Sequence, residues 1–266
     1  MIRVTILGCG GSAGVPMLGG EDGSGQWGVC NPDEPRNRRS RSSIVLQTGP
    51  DDAPHRLLVD TPPDLRSQLL AARILRVDTI LYTHAHADHI GGLDEVRGLN
   101  RIVGGPIEAW GNRATLTELG QRFEYAFRPW EGGGIFRPLL VPRELEPYAC
   151  NDVGGLPLDV FPQTHGRGET LGFRLGGFAY STDVNALEER ALDMLAGLDT
   201  WLVGCFQRDP HPAHAHIALV ADWSRRLGVR RTVLTHMGTD LDWCWMTNNL
   251  PPGLEPAYDG LRLDVA

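Results

Sequence analysis

No two cysteines in this 266-residue chain stand at C-x-x-C spacing, and the five present (Cys9, Cys30, Cys150, Cys205 and Cys244) are scattered and odd in number. That pattern argues against a disulfide framework and fits a reduced compartment. No apolar run is long enough to span a bilayer. The opening run Met1-Ile2-Arg3-Val4-Thr5-Ile6-Leu7 turns to glycine too soon for a signal peptide. The expectation is a soluble, cytoplasmic protein with no membrane partner. Positive charge is short as well: a net charge of −8 leaves no broad basic face, so no stable nucleic-acid partner is expected. A small anionic substrate stays open, because bound metal ions bring their own positive field. There is no internal repeat and no low-complexity tail. Hydrophobic residues, at 41%, suffice for a core without a metal to hold it, and one domain over 1–266 is expected.

Against this background, residues 83–89 stand out. Thr83-His84-Ala85-His86-Ala87-Asp88-His89 places four ligand-type side chains in six residues, directly after the apolar run Thr79-Ile80-Leu81-Tyr82. A strand that delivers a tight loop of three imidazoles and a carboxylate is hard to explain by packing. With only nine histidines in the chain, chance clustering is a poor account. Imidazole with carboxylate suits Zn, Mn or Fe better than Ca or Mg.

Apolar strands ending in a polar ligand type recur. His165 follows Val160-Phe161-Pro162-Gln163-Thr164, Asp183 follows Phe178-Ala179-Tyr180-Ser181-Thr182, and His236 follows Thr232-Val233-Leu234-Thr235. Any one alone reads as a core or turn residue; together with His84 they suggest one assembled metal centre. Asp60, also at a strand end, is either a turn carboxylate or an acceptor behind a ligand histidine.

Further strands are expected at Arg3–Leu7, Ser43–Gln47, Arg56–Val59, Ile107–Trp110, Leu171–Leu175 and Thr200–Val203. Helices are expected at Asp64–Ala72, capped by Asp60-Thr61-Pro62-Pro63, at Arg113–Arg122, Leu187–Leu195 and Ala218–Leu227, and a short one is expected to start at Leu93–Val96. Gly176-Gly177 reads as a hairpin turn. Phe123–Ala149 reads as irregular structure or a lid, with Trp130 and Phe136 either closing over substrate or packing the loop. Mixed sheets covered by helices make an α/β sandwich.

Gly8-Cys9-Gly10-Gly11-Ser12-Ala13 after the first strand imitates a dinucleotide fingerprint. Val15-Pro16 and the glycines at 19, 20, 23 and 25 forbid the helix that motif requires. The loop is a plain turn or a backbone anion site. Arg36, Arg38, Arg39 and Arg41 form either a solvated run or a face toward an anionic substrate.

The H-x-H-x-D-H stretch and the three later strand ends resemble the binuclear phosphodiesterases of the metallo-β-lactamase superfamily. Gly8–Pro16, Arg36–Ser43, Tyr180–Asp183, Leu234–Met237 and Glu255–Gly260 look like its PhnP-like branch. The resemblance implies an αβ/βα four-layer sandwich, two mixed sheets flanked by helices. It implies two divalent ions, Mn or Zn, one held by His84, His86 and His165, the other by Asp88, His89 and His236, with Asp183 bridging. Asp88 would also orient the attacking hydroxide. By position in the family loop, His214 is the acid or phosphate-stabilising group, with His211 and His216 as rivals. Asp240 and Asp242 are second carboxylates behind the ligands or a surface turn.

The implied reaction is hydrolysis of a small anionic phosphodiester, a cyclic phosphate or nucleotide-like ester. A transfer RNA 3′-end endonuclease, a thioester or lactone hydrolase and a non-catalytic metal-binding accessory protein share the ligand set, and a homodimer suits the family. Members of the branch often carry a structural zinc on three early cysteines and a later histidine. Here Cys30 alone remains, Gly25 and Trp27 occupy partner positions, and Thr239 stands at the histidine's place. No structural zinc is expected, since one thiolate does not make a four-ligand site.

Overall fold

The computed structural model describes residues 1–50, 52–129 and 139–265. Two seven-stranded sheets face each other. Their orders are β14-β1-β2-β3-β4-β5-β6 and β13-β12-β11-β10-β9-β8-β7. The first contains β1 (Ile2–Gly8), β2 (Ser43–Thr48), β3 (His55–Val59), β4 (Thr79–Leu81), β5 (Ile107–Gly111), β6 (Leu140–Glu144) and β14 (Arg262–Val265). The second contains β7 (Ala149–Val153), β8 (Leu156–His165), β9 (Gly168–Leu175), β10 (Phe178–Ser181), β11 (Thr200–Gly204), β12 (Arg231–Thr235) and β13 (Leu254–Pro256). Each sheet begins with antiparallel pairs and turns parallel halfway, at β3–β4 in the first and β10–β11 in the second. The expected sandwich of mixed sheets is therefore present.

Alternation along the strands builds two cores. Ile44 and Leu46 join Leu57 and Val59 between the sheets, meeting Val160, Phe173 and Tyr180. Val45 and Leu58, on the opposite face, pack under the helices with Leu65, Leu69 and Ile80. Strands buried on both faces explain why they read as unbroken apolar runs. Each such side chain stabilises the fold by roughly 1.5–3 kcal/mol when taken fully from water.

The helices are α1 (Leu65–Ala72), α2 (Ala87–Ile90), α3 (Val96–Val103), α4 (Arg113–Arg122), α5 (Glu124–Phe127), α6 (Glu189–Leu195), α7 (Ile217–Leu227) and α8 (Trp243–Asn249). In α7, Val220, Trp223, Ser224 and Leu227 form the buried stripe and Gly228, at φ 63°, ends the helix. Asn112 caps α4 by accepting from Thr115 N at 2.9 Å.

Several expectations need correction. Phe123–Ala149 is not irregular throughout, since α5, β6 and the start of β7 lie in it; Trp130 and Phe136 fall outside the described residues. The helix expected to start at Leu93–Val96 does start there, its first turn, Leu93–Glu95, being a 3-10 turn that runs into α3. Asp60 does not cap α1: the N-cap is Asp64, whose side chain makes no capping bond. Among the described residues, no helix is long and apolar enough to cross a membrane.

Candidate metal centre

Strand β4 hands the chain to Thr83, and the ligand loop is fastened there. Thr83 donates from both N and Oγ1 to the Asp60 carboxylate, each at 2.8 Å. His86, extended at ψ 149°, turns the chain into α2, which carries Asp88 and His89. His89 Nδ1 lies 2.7 Å from Asp60 Oδ2, so Asp60 is the acceptor behind a ligand-type histidine. Close approach behind the loop demands glycine: a Cβ at Gly92 would stand 2.1 Å from the Pro62 carbonyl oxygen. Arg122 Nη1 donates to the Ala85 carbonyl at 2.7 Å, holding the segment between His84 and His86 from outside.

The second sheet closes the site. Leu171 N, on β9, donates to the Thr83 carbonyl at 3.0 Å and joins the two sheets beside the loop. His165 ends β8 with Nδ1 at 2.7 Å from the Ala213 carbonyl; donating there leaves Nε2 as a free lone pair. Asp183 follows β10 and is held by Thr182 Oγ1, which donates to Oδ2 at 2.9 Å. Gln163 Nε2 in turn donates to the Thr182 carbonyl. His236 follows β12. Asp60, Asp183 and His236 all take left-handed backbone, at φ 63°, 43° and 52°. For non-glycine residues that conformation costs on the order of 1–3 kcal/mol each, and it gathers at functional sites.

The side chains converge. Donor atoms of His84, His86 and His165 lie within 4.8 Å of one another, as do those of Asp88, His89 and His236. Asp183 stands between the groups, with Oδ2 at 3.0 Å from His89 Nε2 and 3.2 Å from His236 Nε2, and Oδ1 at 3.6 Å from His165 Nε2. All seven are brought together, His86 being the exposed member. Nε2 of His84, His89 and His236 is buried without a hydrogen-bond partner. Unpartnered ring nitrogens around ionised carboxylates fit a divalent cation, by donor chemistry and by burial.

Both carboxylates are ionised and His84 is neutral, while His89 keeps a proton that a bound cation would displace. Burial pushes the Asp183 carboxyl up, but the facing charges of His236 and His89 outweigh it and hold the group well below its usual range. For Asp88, burial is likewise overcome by the neighbouring imidazoles of His236 and His89, which lower the pKa. Burial and the charge of His89 hold His84 well below the imidazole range, so its lone pair is available. His89 moves up instead: burial works against its charge, and the neighbouring Asp183 and Asp60 win.

His214 joins the cluster, with Nδ1 at 3.6 Å from Asp183 Oδ1. Its ring lies against those of Phe206 (4.9 Å between centroids) and His236 (5.0 Å), which are 6.3 Å from each other. Burial, then the charge of His236, brings its pKa down to about 3. His211 sits one ring further out, 5.1 Å from His214, and its Nδ1 accepts from Ala213 N. His216 is the N-cap of α7 and makes no ring contact with the cluster among the described residues.

Phe206 was not legible in the sequence. A Cβ at Gly11 would stand 2.8 Å from its ring, which explains a glycine there. The anion-site alternative for that loop falls away at four positions, because N–H groups of Cys9, Gly10, Gly11 and Gly14 all donate to protein acceptors. The arginine run fits neither expectation whole. Arg39 is buried, donating to the carbonyls of Gly238 and Leu241. Arg36 pairs with Glu34, Arg41 with Asp64, and Arg38 lies over Trp27. Asp242 caps α8, accepting from Trp245 N at 2.8 Å, and also binds Asn37. Asp240 receives Arg208 N. Neither carboxylate hydrogen-bonds to the cluster among the described residues. Where the branch pattern places a structural zinc, Cys30 Sγ donates to the Thr239 carbonyl at 3.4 Å.

Residues 55–237, more than half the chain, match the model of the β-lactamase superfamily domain. The chain belongs to that superfamily. Among solved structures, a new diphosphatase from the PhnP family is 32% identical, with a TM-score of 0.86 over 98% of this chain and 96% of that one. This member is therefore PhnP-like. Zn²⁺-bound PqqB from Methylobacterium extorquens, 19% identical with a TM-score of 0.76 over 99% of this chain and all of that one, shares the superfamily fold. A curated octanoyltransferase from Porphyromonas gingivalis (strain ATCC BAA-308 / W83) is 31% identical over 265 residues, 98% of this chain and 51% of the relative. The chain thus spans about half the length of that relative.

Proposed function

We propose that this chain is a binuclear metal-dependent phosphodiesterase for a small anionic ester, a cyclic phosphate or a nucleotide-like diester. The observation that carries the reading is the convergence of seven ligand-type side chains on Asp183, with buried Nε2 lone pairs left without partners. His84, His86 and His165 would hold one ion, Asp88, His89 and His236 the other, and Asp183 would be shared; Mn or Zn suits this set. Divalent ions there supply Lewis acidity and a nucleophile at neutral pH.

The protein groups then have separate tasks. Asp88 orients the attacking water and accepts its proton at a carboxylate oxygen. His89 is kept in place by Asp60, so the ligand geometry does not relax when charge builds up. With His214 Nδ1–H toward Asp183, Nε2 presents a proton to the leaving oxygen in the imidazolium form. An anionic substrate beside the ring raises its pKa toward that form. The diphosphatase relative supports phosphate chemistry in this branch. A second reading, thioester hydrolysis, draws on the acyl chemistry in the name of the octanoyltransferase relative, a protein of about twice this length.

The test is hydrolysis by metal-stripped protein reconstituted with Mn or Zn, on bis-p-nitrophenyl phosphate, ribose 1,2-cyclic phosphate and an octanoyl thioester. The expected result is metal-dependent cleavage of the phosphodiesters, abolished in His84→Ala and impaired in His214→Ala. Cleavage of the thioester alone would replace the phosphodiesterase reading by the acyl one. Tight metal binding with no turnover on any of the three would favour the accessory role.

A further inference from the structure

Asp183, at φ 43°, turns the chain out of β10 and sends it back antiparallel to the end of β8. Asn185 N donates to the Thr164 carbonyl at 2.8 Å, and Thr164 N to the Ala186 carbonyl at 3.0 Å. That register sets the Asn185 side chain level with the turn after His165. Its Oδ1 accepts from Gly166 N at 3.0 Å, and its Nδ2 donates to the Pro212 carbonyl at 3.2 Å. A backbone N–H only donates and a carbonyl only accepts, so these partners fix which way the amide points. Asn185 is half-buried, uncharged and not a metal-ligand type, yet it ties the segment after Asp183 to the segments that carry His165 and His214.

The two residues that follow Asp183 grip the His214 loop on both sides. Before His214, Asn185 Nδ2 holds the Pro212 carbonyl; after it, Ala215 N donates to the Val184 carbonyl. Between these, the Ala213 carbonyl faces His165 Nδ1 at 2.7 Å. A Cβ at Gly166 would stand 3.2 Å from that of Ala213, so hairpin and loop already meet at contact distance. The result is a fixed triangle: the His165 and His214 rings are 4.6 Å apart, and His214 Nδ1 is 3.6 Å from Asp183 Oδ1. We propose that Asn185 is the positioning residue for His214, holding the loop so that Nε2 presents its proton while Nδ1–H stays toward Asp183. The inference rests on the phosphodiesterase reading and deepens it. As the water oxygen bonds to phosphorus, the bond from phosphorus to the leaving oxygen breaks. His214 gives its Nε2 proton to that oxygen and is left neutral, and the water's proton goes to Asp88. An alkoxide leaving group needs the proton and a p-nitrophenolate does not, so misplacing the acid should penalise one class of ester and spare the other.

The test compares two esters on the Mn-reconstituted protein. Asn185→Ala should lower kcat on ribose 1,2-cyclic phosphate, whose leaving group is a sugar hydroxyl, by about 10- to 100-fold. On bis-p-nitrophenyl phosphate the loss should stay within about threefold, with KM little changed on either ester and metal content as in wild type. A readout apart from turnover is amide hydrogen exchange in residues 211–216, which should quicken by about 5- to 10-fold. Asn185→Asp keeps an acceptor for Gly166 N but loses the donor to Pro212, and should share the selective loss. Asn100→Ala removes an amide that likewise bonds two carbonyls, those of Gly105 and Leu139, and should change none of these quantities. An equal loss on both esters, unaltered exchange, wild-type rates in Asn185→Asp, or the same effects from Asn100→Ala overturns the proposal. If the wild-type protein hydrolyses neither ester, the phosphodiesterase reading fails and exchange alone decides. Quickened in Asn185→Ala, it upholds Asn185 as the residue that positions His214; unaltered, it overturns that as well.

Discussion

In the first sheet, the loop after β4 delivers His84, His86, Asp88 and His89, whereas the second sheet needs the ends of β8, β10 and β12 to deliver His165, Asp183 and His236. The sheets are built alike, antiparallel pairs turning to parallel ones, yet they contribute by different means. The first supplies a local cluster whose shape depends on Asp60 and Thr83. The second supplies groups that meet only when strands 70 residues apart in sequence are in register. A site made from both depends on neighbouring residues for its ligands and on the whole fold for closing.

The sharpest way to break that comparison is at Asp183, where the halves meet. Asp183→Asn keeps the shape and the left-handed backbone but removes the shared charge. Hydrolytic activity should fall by about 1,000-fold or more, and metal content measured on the purified protein should drop. Retained activity would mean that the two groups of ligands work apart. A smaller effect is expected at Asp60, which serves the first half alone. Asp60→Asn should weaken metal affinity or activity by about 10- to 100-fold, and a loss as large as that of Asp183→Asn would show that the local cluster governs the whole centre.

Acid sharpens the comparison further, because depressed imidazoles belong to both halves. In metal-free protein, His84, His86 and His214 have folded pKa values below the usual imidazole range. As the pH drops below about 6.5, the unfolded chain takes up protons that the folded chain refuses, so stability falls. The raised His89 has the opposite linkage, fully stabilising below about 6.5 and lost only as the pH rises through its folded pKa, so it adds no slope in this window. The lowered Asp88 and Asp183 contribute stability above about 3.8 and lose it at lower pH still. The melting temperature of metal-free protein should therefore drop between about pH 6.5 and 5, by roughly 3–6 °C. His214→Gln should remove part of that drop, and a flat profile would contradict the linkage.

The smallest effect expected is at Arg122. Losing its bond to the Ala85 carbonyl should cost about 1 kcal/mol, given a half-exposed guanidinium, read as a two- to fivefold change in metal affinity with kcat little altered. No change at all would mean that Asp60 and Thr83 hold the loop unaided.

The same contrast explains what was legible in the sequence. His84 to His89 were readable because their spacing is the site. His165, Asp183 and His236 were readable as polar residues ending apolar strands, and β8, β10, β11 and β12 as the runs before them. Phe206 and Arg122 were not, because each acts through a contact that only tertiary folding creates. Strand β7 hides its alternation because an inward position is Asn151, satisfied by bonds with Glu146 and Ala149. Strand β6 exposes Arg143 and Glu144 at the sheet edge and so reads as loop. Arg39 was hidden in a run of charge: nothing in its neighbours says that this guanidinium, of the four, meets buried carbonyls.

The left-handed backbone at Asp60, Asp183 and His236 bears on how such a chain ages. At these three positions the backbone favours glycine or asparagine, and the chemistry of the centre favours what is there. While the reaction is under selection, chemistry prevails. Once a descendant no longer needs it, every drift toward glycine at 60, 183 or 236 relieves the backbone and meets no opposition. A relative that has abandoned the activity thus has a physical reason to show glycine or asparagine at those three places first, before the loop after β4 erodes. Their identity in a related chain is then a record of whether its centre is still in use.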